Sequence, residues 1–380
     1  MMMNIVICIL VIAEIVTGEE FSNTHDAKID QLLKKLNKPA LKSIKSPDGD
    51  IIDCVHMKNH PIYDHPLFKN HTIQLRPSSY PNGWNGESST TKKQSIVTQL
   101  WTINGKCSKN SIPIRRTKIE DILQAKSIKG YGKKDPNFSR SKPVDSINDH
   151  NIHEYAEIKV HGNFHGAHGT INVWKPYVQT PKEFSLAQMW LVTCGGPYHE
   201  INTIEFGWQV YQRRYGDDNA RYFVYWTADG YHKSGCYNLD CPGFVPVNQG
   251  FALGAVISNV STMDGPQSHI PTTIWKDPHS GNWWLKLNYH LIVGYWPSKL
   301  MVHNTQQQKM GSGRFASEGY GKASYFRNLE IFDEFDIRKP VQGGYTAMTK
   351  ASCYNIIPGY EGIWGNYFFY GGPGRNQNCT

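Results

Sequence analysis

Apolar residues recur at every second position through much of the C-terminal half of this 380-residue chain. Ile204, Phe206, Trp208 and Val210 share one face of an extended segment, and several neighbouring segments repeat the pattern. A period of two is typical of β-strands that bury one face. The 34 glycines and 21 prolines favour short strands joined by turns over long helices. The sequence therefore predicts an all-β sandwich or barrel in this half.

The N-terminal third has a different organisation. An apolar stripe with helical spacing comes first and consists of Ile29, Leu32, Leu33 and Leu36. Short strands and turns follow it. Residues 126–150 are basic, contain Gly, Pro and Ser, and lack apolar periodicity, which indicates an exposed, cleavable linker. We therefore expect a small N-terminal domain over residues 19–125, this linker, and a larger β domain over residues 151–380.

The first 18 residues resemble a signal peptide, because an apolar stretch too short to span a membrane precedes small residues. A buried strand is the alternative interpretation. Eight cysteines, of which Cys8 lies in this segment, and four glycosylation sequons favour an extracellular or vacuolar protein. The sequons are at Asn70, Asn137, Asn259 and Asn378. Seven cysteines remain after the signal, so at least one thiol lacks an intramolecular partner, and we assign that position to Cys194.

Composition and motifs exclude several functions. Aromatic residues form 12% of the chain and charged residues only 19%, which excludes disorder for most of it. The net charge of +8 is scattered, so we expect no nucleic-acid partner. His161, His165 and His168 fall in a glycine-rich stretch that we interpret as a turn with surface histidines, so we expect no metal. We also expect no cofactor, no membrane association and a monomer.

Glu205 is the main candidate for chemistry. Alternation places it on the face opposite the apolar residues of its segment, beside Gly207, which leaves room for another backbone. A carboxylate among aromatic neighbours has a raised pKa, as an acid catalyst needs, whereas the alternative is a solvated strand glutamate. Most aromatic residues should pack in the core, but Trp208, Tyr225 and Trp226 are candidates to line a substrate cleft.

Several stretches together resemble the neprosin family of plant secreted glutamic peptidases. They include DGDIIDCV and IPIRRT near the N-terminus, then INTIEFGWQVYQRRYGDDNARYFVYWTADGY, GCYNLDCPGFV and MGSGRFASEGYGKASYFRN. The resemblance implies an inhibitory N-terminal α+β activation domain, a β-sandwich of two antiparallel sheets, and a proenzyme that matures by removal of that domain. It also implies an endopeptidase that cleaves proline-containing peptides after proline at acid pH.

The resemblance also assigns residues. It implies Glu205 as one of two catalytic glutamates, and it implies three disulfides: Cys54–Cys107, Cys236–Cys241 and Cys353–Cys379. The second glutamate lies in a family segment, Trp-Gly-Gly-Glu, that is missing between Leu300 and Met310. Glu318, Glu330 and Glu334 are candidate replacements. The alternative is a catalytically degenerate relative that binds peptide or cell-wall material, with unpaired strand edges beside the missing segment.

Overall fold

The computed structural model describes residues 18–82, 98–125, 127–134, 156–193, 201–300, 305–306, 314–348 and 351–373. Within these residues the α-helices are α1 (Gly18–Leu36), α2 (Ile119–Leu123) and α3 (Gln212–Tyr215). The strands are β1 (Ala40–Lys45), β2 (Ile51–His56), β3 (Ser111–Arg115), β4 (Ala156–Lys159), β5 (Phe164–Asn172), β6 (Ser185–Thr193), β7 (Thr203–Val210), β8 (Arg221–Thr227), β9 (Cys236–Tyr237), β10 (Val245–Pro246), β11 (His269–Lys276), β12 (Trp283–Leu287), β13 (Leu291–Trp296), β14 (Thr305–Gln306), β15 (Ser324–Asp333), β16 (Arg338–Pro340), β17 (Tyr345–Met348), β18 (Asn355–Glu361) and β19 (Gly365–Gly371). Single-turn 3-10 helices connect several of them. No helix in the described part of the chain is long and apolar enough to span a membrane.

The N-terminal part is a small α+β unit. Strands β1, β2 and β3 form an antiparallel sheet in that order, and the predicted helix is present as α1. Ile44, Ile52 and Trp101 pack around the disulfide between Cys54 and Cys107. The sequence-based interpretation of this region as short strands and turns is confirmed.

Two antiparallel sheets form the β domain, which confirms the predicted fold class. The larger sheet has the order β10-β13-β12-β11-β5-β15-β19-β18, with β16 also on β15. The smaller sheet has the order β14-β6-β7-β8-β9, and β4 pairs with β17 separately. One core of buried side chains lies between the two sheets and includes Phe206 and Trp208 from the smaller and Ile274 and Trp284 from the larger.

The N-terminal unit is docked on the β domain by polar contacts. Gln99 is buried, donates from Nε2 to the carbonyl of Ala252 at 2.7 Å, and accepts from the Ala252 amide at 2.7 Å. Arg221 on β8 is buried and bonds the carboxylates of Asp50 and Asp217. The contact with Asp50 joins the two units, and a buried ionic contact of this kind fixes orientation because either charge left alone would be strongly unfavourable.

A strap of residues 60–82 continues from this unit across the larger sheet. His60 is 1% exposed, and its ring Nε2 lies 3.1 Å from the carbonyl oxygen of Pro246 on β10. Further along, the Tyr80 ring stacks on Trp275 with centroids 5.5 Å apart, and the Trp275 indole donates to Ser79 O. The N-terminal unit therefore contacts both sheets of the sandwich.

The histidine-rich stretch differs from the expectation of a turn. His165 and His168 lie on β5, a central strand of the larger sheet, and His168 is buried with its Nδ1 2.9 Å from Thr273 Oγ1. Gly166 permits this strand, because a methyl group there would overlap the backbone of Ile274 on β11. The glycines that argued for a turn instead allow close strand packing.

A short strand occupies the place of the missing family segment. Of the described residues, Thr305 and Gln306 of β14 pair with Thr193 and Val192, whereas the opposite edge of β6 pairs with β7 along eight residue positions. The rest of the Leu300–Met310 interval, from residue 301 onward, lies outside the described residues. In the described region, the outer edge of β6 is thus paired only at its C-terminal end.

Candidate functional site

Strand β7 separates the core from the candidate site, as its alternation predicted. Phe206 and Trp208 point into the core, and Glu205 and Gly207 share the outer face. A methyl group at Gly207 would overlap the carbonyl of Ala187 on β6, so this glycine lets the two strands approach closely. The expected position of Glu205 on the non-core face and the close backbone at Gly207 are both observed.

Glu205 is completely buried, although it lies on the outer face of its sheet. The ammonium group of Lys134 bonds its Oε2. The hydroxyl of Tyr231 donates to its Oε1 at 2.8 Å, and Thr203 Oγ1 lies 3.5 Å from the same atom. A solvated strand glutamate, the alternative reading of the sequence, is therefore wrong.

Three tyrosine rings surround the Lys134 ammonium. Its Nζ lies 4.7 Å from the ring centroid of Tyr225, 5.7 Å from that of Tyr237 and 6.0 Å from that of Tyr231. Aromatic faces at these distances attract a cation. Together with Glu205 they form what we call the ammonium pocket: Glu205, Tyr225, Tyr231 and Tyr237.

The tyrosine hydroxyls of the pocket stay protonated. Burial, and then the negative charge of Glu205, raise the pKa of Tyr231 and of Tyr237 well above the usual value. Burial likewise raises the pKa of Tyr225. Tyr231 can therefore only donate to the carboxylate, and the three rings carry no charge that would compete with Glu205 for a cation.

Lys134 belongs to residues 127–134, the start of the stretch that the sequence predicted to be an exposed linker. These residues lie on the β domain: the Tyr237 amide donates to Gly132 O at 2.8 Å, and the Lys134 amide donates to the Tyr225 hydroxyl at 3.3 Å. Gly132 has a φ of 74°, and a side chain there would overlap Asp240. Glycine thus allows the segment to pack closely against Asp240, which places the Lys134 side chain in the pocket. The remainder of the linker, residues 135–150, lies outside the described residues.

The candidate second carboxylates do not reach this site. Glu318 accepts from the Phe315 amide at 3.3 Å in a turn that packs on β18 and β19 of the larger sheet. Glu330 binds Arg338 at 2.6 Å, and Glu334 accepts from Asn163 at 3.0 Å. In the described part of the chain, none of the three contacts Glu205.

Asp229 is the other carboxylate whose charge acts on the Tyr225 hydroxyl. Burial alone would raise its pKa, but hydrogen bonds from Ser234, Lys233 and Thr227 outweigh burial and hold the pKa of Asp229 below its ordinary value. Its oxygens accept from the Ser234 hydroxyl at 2.7 Å and the Lys233 amide at 2.8 Å. Asp229 therefore stabilises a turn as an anion and is unsuited to be a protonated catalyst.

The three aromatic candidates lie on opposite faces of the sheet. Trp208 and Trp226 lie in the core, and the Trp208 indole donates to Asn172 O at 2.8 Å. Only Tyr225 shares the face of Glu205, to which it is directly paired. The structure thus gives no support to a substrate role for the two tryptophans.

Gln188 is a polar neighbour that the sequence analysis did not single out. It lies on β6 opposite Gly207, two residue pairs along from Glu205 and on the same face, and is 8% exposed. Its Oε1 is buried without a hydrogen-bond partner among the described atoms. Diagonal neighbours in a sheet lie roughly 7–8 Å apart at Cα, which long side chains can bridge. The period of two in SLAQMW would have identified it, since Gln188 alternates with the apolar Ala187 and Met189.

The other predicted site residues are the cysteines of the disulfides and the asparagines of the glycosylation sequons. The disulfides Cys54–Cys107 and Cys236–Cys241 are present, the second closing the turn that follows β9. Cys353 is disulfide-bonded, and Cys379 and Cys194 lie outside the described residues. The sequon residues Asn70 and Asn259 are exposed, whereas Asn137 and Asn378 also lie outside the described residues, so glycosylation stays a prediction.

Comparison with solved structures gives weak similarity to other β proteins. A crystal structure of scytalido-glutamic peptidase with a peptide-based transition-state analogue is 10% identical, with a TM-score of 0.31 over 58% of this chain and 98% of that chain. SCP-B, a member of the Eqolisin family of peptidases in complex with the tripeptide Ala-Ile-His, is 10% identical. Its TM-score is 0.29 over 57% of this chain and 96% of that chain. No statement about the chemistry of this chain follows from these values.

Comparison with protein families is more informative. The Neprosin model matches residues 181–373, which is half of the chain and contains the complete ammonium pocket. The neprosin activation peptide model matches residues 43–159, which contain Lys134. The order is that of an activation peptide followed by a peptidase domain. The chain therefore belongs to the neprosin family.

Proposed function

We propose that this protein is a secreted, latent glutamic endopeptidase that cleaves after proline at acid pH, with Glu205 as its catalytic carboxylate. One observation carries the proposal: the ammonium group of Lys134, in the activation region, bonds the fully buried carboxylate of Glu205 in the peptidase-type domain. A buried carboxylate placed on a sheet face beside donors is suited to acid–base catalysis. Family membership supports the class of reaction, and the packing of residues 127–134 supports latency.

In the proposed reaction, Glu205 acts after residues 127–134 have left the site. The ionised carboxylate takes a proton from a water molecule, whose oxygen attacks the scissile carbonyl carbon. The Gln188 amide is placed on the same face to donate a hydrogen bond to the carbonyl oxygen as it becomes negative. Glu205 then gives its proton to the leaving nitrogen, which breaks the peptide bond and restores the carboxylate.

This scheme accounts for a site in which no second carboxylate among the described residues approaches Glu205. A neutral amide stabilises the developing charge less strongly than a protonated carboxyl, so we expect a slow enzyme. Tyr231, which donates to Glu205, keeps the carboxylate in position throughout the reaction.

The proposal is tested with secreted protein whose linker has been cut within residues 135–150. A mixture of proline-rich peptides is incubated with it at acid pH, and mass spectrometry identifies the new C-termini. We expect C-terminal prolines with the wild type and a loss of at least about 10³-fold in rate with Glu205→Gln, which keeps shape but removes the base. Equal rates for both would exclude Glu205 as the catalytic group.

A second candidate function is binding without cleavage. The specific observation in its favour is that Glu318, Glu330 and Glu334 all have partners away from Glu205. On this alternative, folded and correctly cut wild-type protein binds peptide or cell-wall polysaccharide but releases no new C-termini. The same peptide mixture separates the two functions.

A further inference from the structure

We propose that the ammonium pocket is a binding site for primary ammonium groups, such as lysine side chains, and that Lys134 is its intramolecular occupant. The inference rests on the proposed function in one respect, because access to the pocket of the natural chain requires the Lys134 side chain to leave. It does not require catalysis. If the pocket accepts ammonium groups supplied by other molecules, lysine-containing peptides are competitive ligands of the mature protein.

The selectivity for a cation follows from what lines the pocket. Its single carboxylate is fully buried, and the hydroxyl of Tyr231 donates to that carboxylate without neutralising it. The rings of Tyr225 and Tyr237 face the cation, and the two are in edge-to-face contact with centroids 4.8 Å apart. A buried anion beside aromatic faces favours a cation over a neutral group of the same shape.

A neighbouring cation, the guanidinium of Arg214, has a different carboxylate as its partner. Arg214 lies over the outer side of Tyr237, 4.3 Å from the ring centroid, and its guanidinium bonds Asp240 at 2.5 Å. Its Nη2 is bonded to Asp240 and not to Glu205. Glu205 is therefore left to the ammonium of Lys134, and an ion of this size fits between the three rings.

Lys133 provides an internal comparison. It is exposed, and its ammonium donates to the carbonyl of Lys233 at 2.7 Å on the protein surface. Of these two consecutive lysines, only Lys134 places its ammonium group in the pocket. Substituting either gives variants of identical composition, which isolates the contribution of the pocket from that of local charge.

The experiment uses the uncut chain with Lys134→Ala, in which the missing atoms correspond to n-propylammonium. We measure the thermal unfolding midpoint with increasing n-propylammonium or, as the neutral isostere, n-propanol. We expect a saturable rise with the amine alone, and at ten times the Kd the ratio of folded to unfolded protein should increase about 11-fold. Lys133→Ala should respond to neither compound. An equal response to n-propanol, or an equal rise in Lys133→Ala, would overturn the proposal.

A second measurement serves if Lys134→Ala does not fold. Linker-cut wild-type protein, freed of its activation domain, is titrated with the peptide Ser-Ile-Lys-Gly-Tyr-Gly-Lys-Lys and with the same peptide ending in norleucine. We expect the lysine peptide to bind at least about 10-fold more tightly, and Glu205→Gln to abolish the difference. Equal affinities would overturn the proposal. Failure of the proposed peptidase activity would leave both results unchanged, so the two failures are distinguishable.

Discussion

The ammonium group of Lys134 lies on the carboxylate of Glu205, 71 residues later in the chain. The contact joins a segment of the activation region to the strand that carries the candidate catalytic group. It also places the partly buried ammonium among three tyrosine rings and covers the buried carboxylate. Under the proposed function, latency and the catalytic carboxylate are therefore aspects of a single interaction.

The first prediction concerns acid release of the activation domain. Burial lowers the pKa of His60 to about 4, and the nearby charge of His71 acts in the same direction, although the contact with Pro246 opposes it. A histidine with a folded pKa below its unfolded value near 6.5 contributes stability that is present above the unfolded pKa. That stability is lost as the pH falls through 6.5 towards 4, and the loss amounts to about 3 kcal/mol.

Urea unfolding of the uncut chain between pH 7 and pH 4 measures this effect. His60→Asn should reduce the decline by about 3 kcal/mol, because asparagine can still accept from the Ile62 amide but does not titrate. A comparable decline should remain, because burial also lowers the pKa of His269 to about 4. His56→Asn is the control, since His56 accepts from the Lys58 amide in the same way at the surface. Asp50 does not compete in this range, because its contacts with Arg221 and Arg115 outweigh burial and keep its pKa below 3.8. An unchanged decline in His60→Asn would contradict the assignment.

The second prediction concerns the turn that delivers Lys134. Gly132→Ala should weaken latency, because alanine is strained at a φ of 74° and its methyl group would collide with Asp240. We expect the uncut variant to be about 2 kcal/mol less stable and to hydrolyse peptide before linker cleavage. Gly130→Ala is the control, since Gly130 has no positive φ. Peptidase assays before and after cleavage measure the effect, and full latency in Gly132→Ala would count against the role of this turn.

The third prediction concerns Tyr231. Its hydroxyl donates to the Glu205 carboxylate and holds it in position, so Tyr231→Phe should lower the rate of peptide hydrolysis by the activated protein about 10-fold. Tyr225→Phe is the matched control, because the described contact of that hydroxyl is with the Lys134 amide rather than with the carboxylate. Equal hydrolysis rates in wild type and Tyr231→Phe would show that the hydrogen bond does not act on Glu205 during the reaction.

The sequence predicted those features that depend on a period of two. The sandwich, the core face of β7 and the outward position of Glu205 all follow from alternation. The same alternation places Trp208 and Trp226 with the apolar residues and Tyr225 on the opposite face. The core position of the two tryptophans could therefore be predicted from the sequence.

The features that could not be predicted are long-range. Lys134 lies in a stretch without apolar periodicity, and nothing local distinguishes it from Lys133. Tyr231 and Tyr237 reach Glu205 because the chain turns back after β8 and adds β9 to the sheet edge. Gly166 was misread as part of a turn because a sequence does not show the neighbouring strand that requires a glycine there.

The central claim is that Lys134 holds Glu205 inactive. The most direct measurement compares peptide hydrolysis by three uncut proteins at acid pH: wild type, Lys134→Met and Lys133→Met. Circular dichroism confirms that each is folded, and Glu205→Gln combined with Lys134→Met sets the background. We predict hydrolysis by Lys134→Met alone, at least about 10-fold above the other two. Methionine leaves the buried carboxylate without its counter-charge, which weakens the docking of residues 127–134 and lets them leave the site. A folded Lys134→Met protein that stays as inactive as the wild type, but becomes active once its linker is cut, would contradict the claim.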